Sequence, residues 1–260
     1  MESAQPLSTR AAAEAYVGGV CFKLGPPELI GAELEWLTEW SGGDRSGCRV
    51  DAESLAVALG PYAPRSLSPT SPARPLPGGS YVTIEPGGQI EISSLPSPSA
   101  DILCDRLRTD SDTLRSLLRS HSIRTVSAAA DSRRSPQRVL RLPRYQAMED
   151  FFAVTGPFGK LMMCNTAAVQ VSVDAGADPD QVRARWTALY AVGPALLAAF
   201  ACSPRLHGVS ADRWASQRMR AWLSLDGART GVPAVANGAD PVAGYARWVL
   251  DLPLLCVRRD

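Results

Sequence analysis

Polar and apolar residues alternate strictly in three stretches of this chain. Ile30–Leu37 reads IGAELEWL, so an extended backbone sets Glu33 and Glu35 on one face and Ala32, Leu34 and Trp36 on the other. Tyr81–Ser93 reads YVTIEPGGQIEIS. Thr83, Glu85, Gln89, Glu91 and Ser93 share one face, and Val82, Ile84, Ile90 and Ile92 share the opposite one. Pro86-Gly87-Gly88 interrupts the run as a turn signal, and a three-residue turn there pairs Glu85 with Gln89. The prediction is a hairpin with every polar position on one side. Thr166–Asp174, TAAVQVSVD, repeats the pattern: Thr166, Ala168, Gln170, Ser172 and Asp174 face one way, and Ala167, Val169, Val171 and Val173 the other. All three read as half-buried strands with an apolar side toward a core.

Helical spacing accounts for most of the rest. Ser8 or Thr9 caps a helix to about Val17, and Asp51 caps Ala52–Leu59. Pro98–His121 reads as an amphipathic helix with a bend expected at Asp110–Asp112, and Ile123–Ala129 reads as a further strand. Tyr145–Val154 returns to helix. Pro179 opens a helix to about Cys202 whose most apolar part, Trp186–Ala201, is shorter than the roughly 20 residues a membrane span needs. That run is expected to be a core helix, kinked at Gly193-Pro194. Asp212–Leu225 and a final helix from Asp240 to Leu250 follow, and Pro253–Val257 reads as a strand. Gly60–Gly79 carries Pro61, Pro64, Pro69, Pro72, Pro75 and Pro77 and is expected to be a loop inserted between strands of one sheet. The basic stretch Ser132–Arg144 is expected to be a loop with mostly solvated arginines. The fold class is α+β, as one domain over residues 1–260 with the proline-rich insertion at 60–79.

Composition narrows the partners. The 260 residues hold 27 Lys+Arg against 26 Asp+Glu, a formal charge of +1. That balance argues against charge-driven binding of nucleic acid or a membrane surface. The N-terminal MESAQPLSTRAAAEAY lacks a basic start followed by an apolar run, so no signal peptide is expected. The six cysteines are scattered without a CxxC pair, which favours free thiols in a reducing cytoplasm over disulfides or a zinc site. His121 and His207 are the only histidines and have no partner at ligand spacing. The oligomeric state is not legible.

The chemistry therefore centres on acid residues. Two like charges about 4 Å apart cost on the order of 4 kcal/mol at an effective dielectric near 20, and a cation is the usual compensation. Magnesium takes oxygen ligands and accompanies phosphates. Two readings stay open here: carboxylates gathered round a cation, and a solvated acidic face. Arg218, Trp222, Asp226 and Arg229, spaced four, four and three apart, share one face if their helix continues. Guanidinium forks beside a Trp suit a carboxylate or phosphate. Ordinary surface pairing is the alternative.

A series of motifs resembles the plant-type glutamate–cysteine ligases, most closely the bacterial branch that makes γ-glutamylcysteine for ergothioneine. They are ELE at Glu33–Glu35, EPGGQIE at Glu85–Glu91, RYQAMEDFF at Arg144–Phe152 and LMMCNTAAVQVSVDAG at Leu161–Gly176. SPRLHG at Ser203–Gly208, SQRMRAWLSLDGARTG at Ser216–Gly231 and YARWVLDLPLLCVR at Tyr245–Arg258 complete the series in the family's order. The resemblance implies a curved antiparallel sheet like the catalytic sheet of glutamine synthetase, and an ATP- and Mg2+-dependent ligase joining L-glutamate to L-cysteine. It implies Glu33, Glu35, Glu85 and Glu91 as magnesium ligands, and Glu33, Glu85 and Arg229 as the catalytic set. Arg144, Thr166, Gln170, Arg218 and Trp222 are implied as substrate-binding residues. Ser172 stands where the family usually has Asn. Family members continue past the position of Asp260 with a segment that returns to the sheet, so a sheet incomplete at its C-terminal side is expected. Two other readings accompany this one: a non-catalytic ligase-like binding module, and a carboxylate–amine ligase with a different acceptor amine.

Overall fold

A computed structural model describes residues 8–25, 28–231 and 240–255. The helices and strands in chain order are α1 (Arg10–Cys21), β1 (Ile30–Trp40), α2 (Ala52–Leu59), β2 (Tyr81–Ile84), β3 (Ile90–Ser93), α3 (Ala100–Arg119) and β4 (Ile123–Val126). They continue with α4 (Pro143–Ala153), α5 (Phe158–Asn165), β5 (Val169–Val173), α6 (Pro179–Phe200), α7 (Gln217–Leu223), α8 (Gly227–Thr230) and α9 (Pro241–Asp251). They group into two compact units interleaved along the chain. A sheet unit comprises Leu29–Ser172 and Ala201–Gly227 with Leu255. A helical unit takes the chain up to Glu28, Val173–Phe200 and Ala228–Leu254.

The sheet unit is organised on β1. Its first half pairs antiparallel with β3, Glu35 opposite Glu91 and Trp36 opposite Ile90. Its second half pairs antiparallel with β4, Glu39 opposite Arg124. The strand order is β2-β3-β1-β4, with β5 also pairing β1. The predicted hairpin forms in its predicted register: Thr83 faces Glu91, and the Glu85 N–H donates to the Gln89 carbonyl at 2.9 Å. Gly88 takes φ +84°, a conformation that a Cβ would strain.

Alternation determines which side is covered. Ile90 and Ile92 are fully buried, joined by Trp36, Val82 and Ile84, and Leu55, Leu59, Leu114 and Leu118 of α2 and α3 close over them. Each fully buried side chain of this kind contributes about 1.5–3 kcal/mol. The caps follow the sequence. Thr9, Asp51, Ser99 and Asp240 each accept a backbone N–H at the start of α1, α2, α3 and α9.

Several expectations need correction. β1 runs three residues further than the alternation suggested, because Thr38 and Glu39 are buried through bonds rather than left to solvent. Glu39 is fully buried with Arg124 and Arg133 on its two oxygens. Arg134 and Arg138 likewise pair with Asp131 and Glu149, so the basic stretch is pinned, not merely solvated. No bend marks Asp110: α3 is continuous there, and the buried Asp110 carboxylate accepts from the N–H groups of Gly78 (2.5 Å) and Ser80 (2.9 Å). That contact, a bond from Arg74 N–H to the Pro61 carbonyl, and the buried Leu76 hold the proline-rich segment as an ordered loop.

β5 is not half-buried. Val169 and Val171 are about 70% exposed (69% and 70%). In the helical unit α1, α6 and α9 pack together, with Phe22, Trp186, Tyr190, Tyr245 and Trp248 in ring contact at centroid distances from 5.1 to 5.8 Å. The predicted core helix α6 buries only Val182, while Leu189, Leu196 and Phe200 stay exposed. The run is apolar on all sides, so its composition does not say which side is covered. Its helix passes through Pro194 uninterrupted. The strand predicted from Pro253 to Val257 is absent at 253–255, and its remainder lies outside the described residues. Cys21, Cys48, Cys104, Cys164 and Cys202 are free thiols, and Cys256 lies outside the described residues. Among the described residues no helix is long and apolar enough to cross a membrane.

Candidate active site

Strand pleat brings the four glutamates to one patch. Glu33 and Glu35 stand two apart on β1, Glu91 faces Glu35 across the β1–β3 pair, and Glu85 lies two residues beyond Thr83, which faces Glu91 on β2. Like charges directly opposite on neighbouring strands are destabilising. Local donors offset part of the repulsion. Thr83 Oγ1 (2.5 Å) and Ser93 Oγ (3.1 Å) donate to Glu91. The Ala168 N–H donates to Glu35 at 2.9 Å, and Gln170 Nε2 donates to Glu33 at 2.8 Å.

The residual strain shows in proton affinity. Burial pushes the Glu35 carboxyl up to about 7, with Glu85 and Glu91 adding to it and the Ala168 N–H and Arg218 opposing. Glu85 is raised by burial and by Glu91 and Glu33, against Arg144. Glu33 is raised by burial and by Glu91.

Glu35 and Glu85 border a cavity of about 230 Å³. Gln89, Thr166 and Gln170 share that wall, Arg218 and Trp222 of α7 enter from another element, and Tyr145, Met148, Met162 and Met163 supply the apolar remainder. Of the residues expected in the site, Glu35, Glu85, Thr166, Gln170, Arg218 and Trp222 line this cavity, and Glu33 and Glu91 extend the same sheet face beside it. Arg144 sits over the Tyr145 ring at 4.4 Å and donates to its hydroxyl. Arg229 does not continue the Arg218–Trp222 face. α7 ends at Leu223 with Ser224 as its C-cap, and Arg229, in α8, donates to the Pro253 carbonyl within the helical unit.

Gln89 was not among the expected site residues, although its place on the polar side of the hairpin was legible. It is almost fully buried, and Nε2 donates to the carbonyls of Met163 (3.2 Å) and Thr166 (2.8 Å). Two carbonyl partners fix the amide orientation, which leaves Oε1 buried with no hydrogen-bond partner among the described residues. The methionine wall carries no chemical signature in sequence.

Among the described residues no three His, Cys, Asp or Glu side chains converge into a group able to hold a metal ion. The donor chemistry is nonetheless that of a hard cation. Carboxylate and carboxamide oxygens line the cavity without thiol or imidazole, three carboxyls are raised by burial and then by their acidic neighbours, and one buried oxygen has no partner among the described residues. Magnesium fits this set in kind.

Residues 29–260 match the family model described as glutamate-cysteine ligase family 2. Among curated proteins, the chain is 35% identical over 255 residues to glutamate–cysteine ligase EgtA of Mycobacterium tuberculosis (strain ATCC 25618 / H37Rv), covering 97% of this chain and 55% of that protein. It is 38% identical over 185 residues to the EgtA protein of Mycolicibacterium smegmatis (70% and 43%). To the chloroplastic glutamate–cysteine ligase of Medicago truncatula it is 27% identical over 185 residues (70% and 36%). The chain spans about half the length of the curated relatives it matches most fully.

Proposed function

The chain belongs to glutamate–cysteine ligase family 2, and from that membership we propose that it carries the catalytic carboxylates for ligation of L-glutamate to L-cysteine. The reaction is ATP- and Mg2+-dependent. ATP phosphorylates the γ-carboxylate to give γ-glutamyl phosphate, and the cysteine amine displaces phosphate to give γ-glutamylcysteine. The product serves ergothioneine or other low-molecular-weight thiol synthesis in the cytoplasm, and the sheet is read as glutamine-synthetase-like.

The observation that carries this reading is the four-glutamate sheet face, two of whose carboxylates, Glu35 and Glu85, share one small cavity with Arg218 and Trp222. On that face Glu33, Glu35, Glu85 and Glu91 would hold Mg2+, which when bound would neutralise charge on the transferred phosphoryl group. Arg218 binds a substrate carboxylate and Trp222 bounds its pocket. Gln170, now on Glu33, turns toward ligand, and Thr166 and Arg144 complete the substrate side. A cavity below the roughly 300–1,000 Å³ of drug-sized pockets suits one amino acid better than a nucleotide. No side-chain nucleophile is needed, and catalysis is positioning plus electrostatics.

The test is ADP release with glutamate, cysteine, ATP and Mg2+. Glu85→Gln is expected to lower it by about 10²-fold or more, and an unchanged rate sinks the metal assignment. A second reading has its own support in the carboxylates that do not converge among the described residues: a module that binds amino acid without turnover. Calorimetric glutamate binding with no ADP release selects it.

A further inference from the structure

The last four carbonyls of α5 lack helical partners, as at any helix end. Here each is met by a different donor. Thr166 Oγ1 donates to Met162 O (2.7 Å), Gln89 Nε2 to Met163 O (3.2 Å), Arg49 Nη1 to Cys164 O (3.0 Å) and the Asp131 N–H to Asn165 O (2.7 Å). Three of these donors come from outside the local chain, and two of them, Gln89 and Arg49, tie α5 to the hairpin turn. Gln89 belongs to that turn. Arg49 also donates to Gly87 O at 2.7 Å, and through Nη2 to Asn165 Oδ1 (2.9 Å) and Ser135 O (3.3 Å). The approach is close enough that a Cβ on Gly87 would lie 2.4 Å from Cys164 O.

Arg49 has no carboxylate within ion-pair distance among the described residues. Burial lowers its proton affinity, with Arg134 acting the same way. A cation committed to four neutral oxygens is costly to bury and is retained where the fork geometry itself matters. The fork joins two chain segments that line the cavity: Gly87 lies between Glu85 and Gln89, and Asn165 precedes Thr166.

We propose that Arg49 is a positioning residue, its guanidinium clamping the Pro86–Gln89 turn to the C-terminus of α5 and so fixing Glu85 relative to Thr166 and Gln170 in the cavity lining. It touches no substrate. Gln89 is the second point of the clamp. Lysine cannot replace Arg49, because a single ammonium does not reach four separate acceptors as the guanidinium fork does.

The inference uses the ligase reading only for its activity readout. The full chain is compared with Arg49→Lys, Arg49→Met and the core variant Leu118→Ala, which lowers stability away from the clamp. ADP release and hydrogen exchange at Gly87–Gln89 and Thr166–Gln170 are measured. Both Arg49 variants are expected to exchange at least about tenfold faster at both segments together. Their kcat is expected to fall by about 10²-fold with the ATP KM nearly unchanged, the loss typical of a misplaced group. Leu118→Ala is expected to keep both kcat and the local exchange pattern. Should Arg49→Met not fold, Arg49→Lys decides. A parent chain without turnover counts against the ligase reading, and linked exchange at the two segments alone then judges the clamp. Exchange rising at Gly87–Gln89 only, or an activity loss no greater than that of Leu118→Ala, overturns it.

Discussion

Glu35 is held near 7 by burial and by its facing carboxylates, against an ordinary value of 4.5. The folded chain therefore binds more protons than the unfolded one between those values. Stability of the metal-free chain falls as pH rises from about 4.5 to about 7, by at most about 3 kcal/mol and less after solvent screening. A divalent cation needs the ionised form, so its affinity is expected to rise over the same window and level off above it. Melting curves and Mn2+ titrations at about pH 5.5 and 8 check both slopes. Glu35→Gln is expected to flatten them, and a pH-independent parent would contradict the assignment. The acidic half of this site was legible in sequence because a strand's two-residue period is local. Arg49 and Gln89 were not, because their acceptors are backbone carbonyls far along the chain, and carbonyls leave no mark on residue identity.

Among elements, those with local caps and alternation were legible: α2, α9, the hairpin and its turn follow directly from Asp51, Asp240 and Pro86-Gly87-Gly88. α5 was missed, since FGKLMMCN is short and has no clear apolar period. α7 was drawn too long, because Ser216 and not Asp212 supplies its cap. The Asp110 contact was hidden for the same reason as Arg49, its partners being backbone N–H groups of a distant loop. Asp110→Ala is expected to cost about 3 kcal/mol by stranding two N–H groups that now meet a charged acceptor, while the exposed Asp112→Ala changes stability by less than about 0.5 kcal/mol. Urea unfolding of the pair measures the difference, and equal values would deny that Asp110 anchors the loop. On α6, Leu196→Glu is expected to be near neutral and Val182→Glu strongly destabilising, in keeping with 49% and 2% exposure.

For the whole molecule, reading the chain as one domain gave no sign that segments distant in sequence return to a separate helical unit. The pattern of α1, α6 and α9 is three amphipathic or apolar helices, and nothing in such a pattern says which partners they choose. The cavity residues all belong to the sheet unit: Glu35, Glu85, Gln89, Thr166, Gln170, Arg218 and Trp222 fall within Leu29–Ser172 and Ala201–Gly227. A ligand held by those side chains stabilises that unit by RT ln(1 + [L]/Kd), about 2.7 kcal/mol at a hundredfold excess over Kd. Calorimetry of the chain with Mg2+, glutamate and a non-hydrolysable ATP analogue should therefore raise the transition that carries the sheet. Glu85→Gln and Arg218→Ala should each abolish that rise while the ligand-free trace changes little. If the ligands move the sheet's transition equally in the parent and in both variants, the binding residues lie elsewhere. The four-glutamate face is then a solvated acidic surface, the other reading that its sequence allowed.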